Sequence, residues 1–241
     1  MKKNQVNSLL VNQTKRRNTV LTFICVIIVV FFLAVSLLMV YAKNSKAQYV
    51  RYDEKGSIDY KVQYKDNEYF DENYLDSNRQ YIASLIDNIN ANFNYKIALE
   101  ESNVEYKYSY RVEANVVVQE KDTHNLFYDK TEVLVKETEK MTSMDEVNIS
   151  ENLVIDYNKY NEKIKKFVNV YDLETAESTL NINMYVNVVG SCEDFSDNQE
   201  KERVISLSIP LTEDTIAIDF VDDIVNSDNN VMKCDSSSFG N

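Results

Sequence analysis

Few residues in this chain have the types and the spacing that catalysis requires. The sequence contains one histidine, His124, in the polar stretch EKDTHNLFY, where a hairpin loop is expected. A histidine that relays protons to a serine or cysteine nucleophile must be held in place by ordered neighbours. We therefore assign His124 no catalytic role.

Adjacent carboxylates are frequent, but they lie in polar runs, as at Asp71–Glu72, Glu193–Asp194 and Asp222–Asp223. General acid–base catalysis needs a carboxyl group whose pKa is shifted in a cleft, whereas adjacent acids in polar runs usually face water. The segments 71–76 (DENYLD) and 193–197 (EDFSD) could supply oxygen ligands to calcium. Neither has the Asp-x-Asp-x-Asp-Gly order of a dedicated calcium loop, so we predict no metal site.

Motifs that depend on glycine or on closely spaced metal ligands are missing from the sequence. The chain has only 3 glycines and 3 cysteines, and it contains no glycine-rich phosphate loop, zinc-ligand spacing or nucleophile elbow. We predict no catalytic residues, no cofactor and no enzymatic activity.

Two of the cysteines, Cys192 and Cys234, follow the apolar N-terminal segment and would lie outside the membrane, where oxidation is possible. Both occur in polar segments rich in serine and aspartate, which have the character of a loop and a tail. A Cys192–Cys234 disulfide is therefore conceivable, but spacing alone cannot distinguish it from two free thiols. Cys25 lies within the apolar segment itself.

The apolar segment, VLTFICVIIVVFFLAVSLLMVYA at residues 20–42, contains no charge, proline or glycine. Its length matches what an α-helix needs to cross a hydrocarbon core roughly 30 Å thick. A cleaved signal peptide is the alternative, with Val40-Tyr41-Ala42 as its cleavage site. Signal peptides, however, have apolar regions of only about 7 to 15 residues, so we predict an uncleaved anchor.

Charges on the two sides of this segment predict its orientation. Five basic residues and no acidic residue precede it, and positively charged flanks stay in the cytoplasm. The other 21 basic residues and all 39 acidic residues follow Ala42, which gives this part a net charge of −18. Nucleic acid would be repelled by such a domain and is not expected as a partner. We predict a short cytoplasmic segment at 1–19 and a main domain outside the cell.

Residues after the anchor alternate between apolar and polar with the two-residue period of half-buried β-strands. The clearest case is NVEYKYSYRVEANVVV, residues 103–118, in which every even-numbered residue is apolar or aromatic. We expect this side to pack into a core, although a tyrosine-rich face can also be a recognition surface. Further strands are predicted at 57–65, 89–99, 126–128, 132–136, 149–157, 178–189, 204–211 and 215–221.

One amphipathic helix is predicted at 157–171, where apolar residues recur at three- and four-residue steps. Strands on both sides of a lone helix favour a mainly β, antiparallel β-sandwich-like domain over a parallel sheet. With 3 Gly and 1 Pro in the chain, the turns must use Asn and Asp, which tolerate left-handed backbone angles. We predict a linker at 43–55, the β-rich domain at 56–223 and a disordered polar tail at 224–241.

Five stretches of the sequence resemble a known family. They are GSIDYKVQYKDNEYF, YIASLIDNINANFNYKI, VEYKYSYRVEANVVV, ENLVIDYNKYNEKIKKF and ISLSIPLTEDTIAIDF. Together, over about Gly56 to Phe220, they resemble bacterial and archaeal membrane-anchored proteins grouped as a domain of unknown function, number five-three-zero-five in that series. The resemblance implies an N-terminal anchor and an extracytoplasmic β-rich domain, and it supplies no activity and no catalytic residues. Many members are expected to continue into a second membrane helix, whereas none follows the domain here up to Asn241.

These inferences lead to an expected class of protein. We expect a bacterial single-pass membrane protein that presents an acidic β-rich domain outside the cell as a non-catalytic protein-interaction or surface-assembly module. Its protein partner is not identified by the sequence. A ligand- or calcium-binding sensor ectodomain is the alternative, and an unrecognised enzyme is a third possibility.

Overall fold

A computed structural model of the chain describes residues 22–39, 48–100, 104–192, 195–196, 202–222 and 230–234. The described residues fall into two compact units, an N-terminal helix and a β-rich domain that begins at Gln48.

The N-terminal helix, α1, spans Thr22–Met39 and has a mean hydropathy of 3.0. None of its residues is buried. The helix is long and apolar enough to cross a membrane, a property that a signal sequence shares. It lies within the segment 20–42 that the sequence predicts as an anchor.

The β-rich domain is built from short and long strands that pair in antiparallel fashion throughout the described part. The strands are β1 Gln48–Tyr64, β2 Tyr74–Asp76, β3 Gln80–Ile82, β4 Ile86–Leu99, β5 Glu105–Glu120, β6 Leu126–Thr142, β7 Glu146–Asp156, β8 Ala176–Cys192, β9 Phe195–Ser196, β10 Arg203–Leu211, β11 Thr215–Ala217, β12 Asp219–Asp222 and β13 Asn230–Cys234.

Two large sheets enclose one hydrophobic core. The first sheet has the order β13-β1-β4-β7, with β2 also beside β1, and the second has the order β12-β10-β8-β5-β6, with β9 beside β8. A two-stranded sheet of β3 and β11 accompanies them. Buried side chains alternate with partly exposed ones along the strands, as in β10, where every odd-numbered residue is buried. The structure therefore confirms the mainly β, antiparallel prediction.

Strand β5 has the orientation that its alternation predicts. Its even-numbered side points into the core, with Tyr106, Val112 and Ala114 fully buried. Tyr108 and Tyr110 are partly buried and pack against the core from its rim. The core interpretation of the tyrosine-rich face is thus confirmed, because this side of β5 packs into the core between the two sheets.

The amphipathic helix, α2, spans Tyr157–Val170 and begins where Asp156 accepts a hydrogen bond from the Lys159 backbone N–H at 3.0 Å. It ends in a Schellman-type turn, because the Leu173 N–H donates to the Val168 carbonyl at 3.0 Å while Asp172 takes a left-handed backbone angle. An aspartate thus stands where glycine is more usual, as the scarcity of glycine predicts.

Helix α2 is bonded to both sheets. The Asn158 side chain donates to the Ile86 carbonyl of β4 at 2.9 Å, which fixes the helix to the first sheet. Asn161, itself buried, accepts from the Thr212 N–H just after β10 at 2.7 Å, which fixes it to the second. Buried polar groups need such partners, so these two asparagines determine where the helix can lie.

The predicted linker at 43–55 is corrected from residue 48 onward, because β1 begins at Gln48 and pairs with β4 from Tyr52 onward. Residues 43–47 lie outside the described chain. The sequence hides this start because the inward position 54 is a glutamate, which breaks the apolar alternation. Glu54 is nevertheless buried, and Arg203 of β10 donates to it at 2.6 Å across the core. A charge that has a partner can occupy a position that the hydrophobic pattern excludes.

The predicted disordered tail at 224–241 is corrected at residues 230–234, which form β13 beside the start of β1. Residues 224–229 and 235–241 lie outside the described chain. An edge strand is held by backbone hydrogen bonds, which leave no side-chain period in the sequence. The predicted strands 126–128 and 132–136 are one strand, β6, and the predicted strand 215–221 is two, β11 and β12, which belong to different sheets.

Candidate functional site

Strand β6 is a long edge strand with much exposed surface. It pairs with β5 on one side, and within the described part of the chain its other edge has no neighbour. None of its residues is fully buried on either face. Large apolar side chains stand in water along it, including Leu126 at 62% exposure, Val133 at 55% and Met141 at 65%. An open edge of this length exposes a row of unpaired backbone donors and acceptors.

Two features limit uncontrolled pairing at this edge. The pairing of β5 with β6 shifts register at Val112 and again next to Gln119, and such bulges twist an edge away from flatness. Lys130, Glu132 and Lys140 occupy register positions opposite inward residues of β5, so they place charges on the inner side of the edge. The edge is protected against non-specific aggregation and remains open to a matched strand.

A cleft of about 440 Å³ lies between β5, β6 and the first half of α2. Its floor consists of three buried apolar residues, Ala114, Val116 and Ile164. Polar and aromatic side chains form its rim: Tyr128, Lys130, Thr131, Glu132, Lys159, Tyr160 and Lys163. An apolar floor under a few convergent polar groups is the usual composition of a small-molecule site.

An ion pair joins the two walls of this cleft. The Lys159 Nζ donates to both carboxylate oxygens of Glu132 at 3.1 Å, and the Tyr160 hydroxyl donates to the same carboxylate at 3.3 Å. The hydrogen bond from Lys159 lowers the pKa of Glu132, and the same bond raises the pKa of Lys159. Burial raises the pKa of Tyr160. All three groups therefore keep their ordinary charge states at neutral pH.

Aromatic rings pack beside the cleft, next to its lining residue Tyr128. Lys163 lies over the Tyr128 ring, with 5.7 Å between its Nζ and the ring centroid. Tyr128 in turn packs against Phe167 at 5.2 Å, and Phe167 against Tyr171 at 5.0 Å. These contacts hold the β6 wall and the α2 wall at a fixed separation.

A second, shallower groove of about 630 Å³ lies on the outer face of the first sheet. Asparagines at alternate positions of β4 line it together with residues of β1, β2 and β7, including the half-exposed Tyr74 and the exposed Val154. The Lys61–Asp76 pair beside it, at 3.7 Å, is well exposed on both sides. Its lining also includes buried apolar residues, Tyr60 and Ala91, but the groove is more open to solvent. The more enclosed β6–α2 cleft is therefore the better candidate for a binding site.

The residues that the sequence singled out for chemistry lie elsewhere. His124 is exposed in the turn between β5 and β6, with a left-handed backbone angle, and its Nδ1 lies 3.4 Å from the Gln119 amide nitrogen. Asp71 and Glu72 are exposed. Residues 193–194, 197 and 223 lie outside the described chain. Among the residues that are described, no group of three or more His, Cys, Asp or Glu is placed to hold a metal ion.

Cys192 and Cys234 end strands of different sheets, since Cys192 is the last residue of β8 and Cys234 the last of β13. Their side chains lie outside the described part of the structure. The disulfide between them stays a prediction.

Sequence reasoning missed the β6–α2 cleft. Lys159 and Lys163 are spaced one helical turn apart on α2, which places them on one face, but β6 reads as two short separate strands. Only the pairing of β5 with a single long β6 brings Lys130 and Glu132 to that face. The spacing of the lysines could have indicated the α2 wall of the cleft. The β6 wall could not be predicted, because it depends on strand pairing.

The chain matches no protein-family model and no curated protein sequence. Two solved structures resemble it weakly. A protein from Archaeoglobus fulgidus is 7% identical, with a TM-score of 0.25, over 70% of this chain and 99% of that one. A Bordetella pertussis protein assigned as ApaA is 8% identical, with a TM-score of 0.21, over 69% of this chain and 94% of that one. Likeness at this level supports no argument about function, and the family resemblance of the sequence stays a prediction.

Proposed function

We propose that this chain is a single-pass membrane protein whose β-sandwich lies outside the cell and works as a non-catalytic protein-interaction or surface-assembly module. Helix α1 supplies an apolar segment of the required length, and the five basic residues before it favour a cytoplasmic N-terminus. The net charge of −18 after the anchor disfavours nucleic acid as a partner.

The open edge of β6 is the observation that carries the proposal. Seventeen residues of strand have one neighbour within the described chain, and large apolar side chains project from them into water. An extended segment of a partner can add to such an edge, with backbone hydrogen bonds supplying affinity and alternate side chains supplying specificity. Basic and acidic residues both occur along β6, so the partner strand needs a complementary alternation of charge.

Site-specific photo-crosslinking in native membranes tests this assignment. A benzophenone amino acid replaces Val133 or Met141, both exposed on β6, and in a matched control it replaces Tyr69, which is 77% exposed in the loop after β1. We expect the two β6 positions to crosslink one protein in roughly stoichiometric yield and the Tyr69 position to give no such product. Equal crosslinking from all three positions, or none from β6, would contradict strand addition at this edge.

A ligand-binding sensor is the second candidate function, and the β6–α2 cleft is the observation that favours it. Transmission of a signal through one helix would require two copies of the chain to change their association on binding. A ligand that leaves the oligomeric state of the full-length protein unchanged would therefore count against a sensor, whether or not it binds.

A further inference from the structure

We propose that the β6–α2 cleft binds a single-chain anionic amphiphile, a molecule with one apolar chain and an anionic head such as a carboxylate or a phosphate. The chain would lie on the floor of Ala114, Val116 and Ile164, and the head would lie between Lys130 and Lys163. This binding site is separate from the open edge of β6 and does not depend on strand addition there.

The charges of the rim select the sign of the ligand. Lys159 is already neutralised by Glu132, whose two oxygens it contacts at 3.1 Å. The lining contains three lysines, Lys130, Lys159 and Lys163, and one carboxylate, Glu132, so the cleft carries an excess of positive charge. The residues after Ala42 have a net charge of −18, so the positive charge of the cleft is opposite in sign to that of the domain as a whole. A concave site also strengthens the electric field of the charges that line it. An anionic head therefore complements the cleft, and a cationic head is repelled.

The floor selects an apolar chain behind that head. Ala114 is fully buried and Ile164 is 1% exposed, so the cleft reaches the packed interior of the sandwich. A volume of about 440 Å³ lies within the range of roughly 300–1,000 Å³ that small-molecule sites occupy. A free phosphate or acetate ion would contact the lysines of the rim and use none of the apolar lining.

The walls of the cleft fit a slender ligand better than a folded one. The Glu132–Lys159 pair and the Tyr128–Lys163 contact both cross between β6 and α2. These two contacts narrow the cleft, which favours a slender ligand over a bulky one. The aromatic faces of Tyr128 and Tyr160 add apolar contact on either side.

Photoaffinity labelling of the full-length protein tests the proposal. The protein is placed in nanodiscs of zwitterionic phosphatidylcholine and illuminated with a diazirine-bearing decanoic acid, and labelled peptides are identified by mass spectrometry. We expect labels on peptides that contain the floor residues of β5 and α2. Excess decanoate or decyl phosphate should suppress this label, and whichever of the two is effective at lower concentration identifies the preferred head group.

Charge-reversal variants make the test specific. K130E/K163E should reduce the cleft label at least tenfold, whereas the control K165E/K166E, with the same charge change at exposed positions of α2 outside the cleft, should leave it unchanged. Competitor chains from six to ten carbons should gain about fourfold in potency per added CH₂.

Three outcomes would overturn the proposal. If K130E/K163E were labelled as strongly as the control K165E/K166E, the lysines of the rim would have no role in binding. If decyltrimethylammonium suppressed the label as well as decanoate does, the cleft would not select its ligand by charge. Labels confined to α1, as from fatty acid dissolved in the bilayer, would show that the cleft is not occupied. Unchanged melting temperatures of the variants establish that a loss of label is not a loss of fold.

Discussion

At the scale of single residues, a buried ion pair connects the two sheets. Glu54 of β1 and Arg203 of β10 are each almost fully buried, and Tyr95 of β4 donates its hydroxyl to the same glutamate oxygen at 2.7 Å. Arg203 also donates to the Val188 carbonyl at 3.4 Å. Each charge of the pair is compensated by the other inside the core. Removal of one partner therefore lowers the free energy of unfolding by more than the pair itself contributes to it.

Glu54→Ala should lower the free energy of unfolding by about 3 kcal/mol, because it removes the buried carboxylate that both Arg203 and Tyr95 bond. Thermal unfolding of the full-length protein in detergent measures the change. Lys61→Ala is the control, since it breaks an exposed pair and should cost less than about 1 kcal/mol. If Glu54→Ala lowered the free energy of unfolding as little as Lys61→Ala does, the core would not depend on the pair.

At the scale of elements, helix α2 shows how local capping and tertiary bonds act together. Asp156 ends β7 and caps the helix that follows directly, so strand and helix share one residue boundary. Asn158 and Asn161 then fix the first turn to both sheets. The position of the first turn also sets where Lys159 and Lys163 enter the cleft.

Asp156→Ala should destabilise the protein by about 1 kcal/mol, because the Lys159 N–H loses its acceptor at the start of the helix. Asp156→Ser should retain most of the stability, since a serine hydroxyl also caps. The exposed Asp122→Ala in the β5–β6 turn serves as the control. If the alanine and serine variants melted at the same temperature, the cap would contribute nothing measurable.

At the scale of the whole molecule, the core is unusually rich in tyrosine. Burial is the main cause that raises the pKa of five hydroxyl groups, those of Tyr81, Tyr95, Tyr106, Tyr157 and Tyr160. These hydroxyls also bond across the sandwich, as Tyr106 does when it accepts from the Leu99 N–H at 3.0 Å. Tyrosine thus fills the core and satisfies backbone groups at its rim.

The stability of the sandwich should fall as the pH rises above about 10, the ordinary tyrosine pKa. Above that pH the unfolded chain loses protons that the folded chain retains, so folding is progressively disfavoured. Absorbance at 295 nm should show exposed tyrosines ionising first and the buried set only together with loss of the β-sheet circular dichroism signal. Tyr157→Phe should reduce the second step by one tyrosine. A single step for all 17 tyrosines with the fold intact would contradict the assignment.

The sequence by itself determined the apolar helix, the antiparallel β class, the inward side of β5 and the place of α2. These features follow from periods of 2 and 3.6 residues, which are local properties of the chain. Tertiary structure alone decided four features: the early start of β1 at Gln48, the addition of β13, the division of 215–221 between two sheets and the cleft beside β6. Each of these depends on contacts between residues far apart in sequence, such as Glu54 with Arg203 and Glu132 with Lys159, which no local period records.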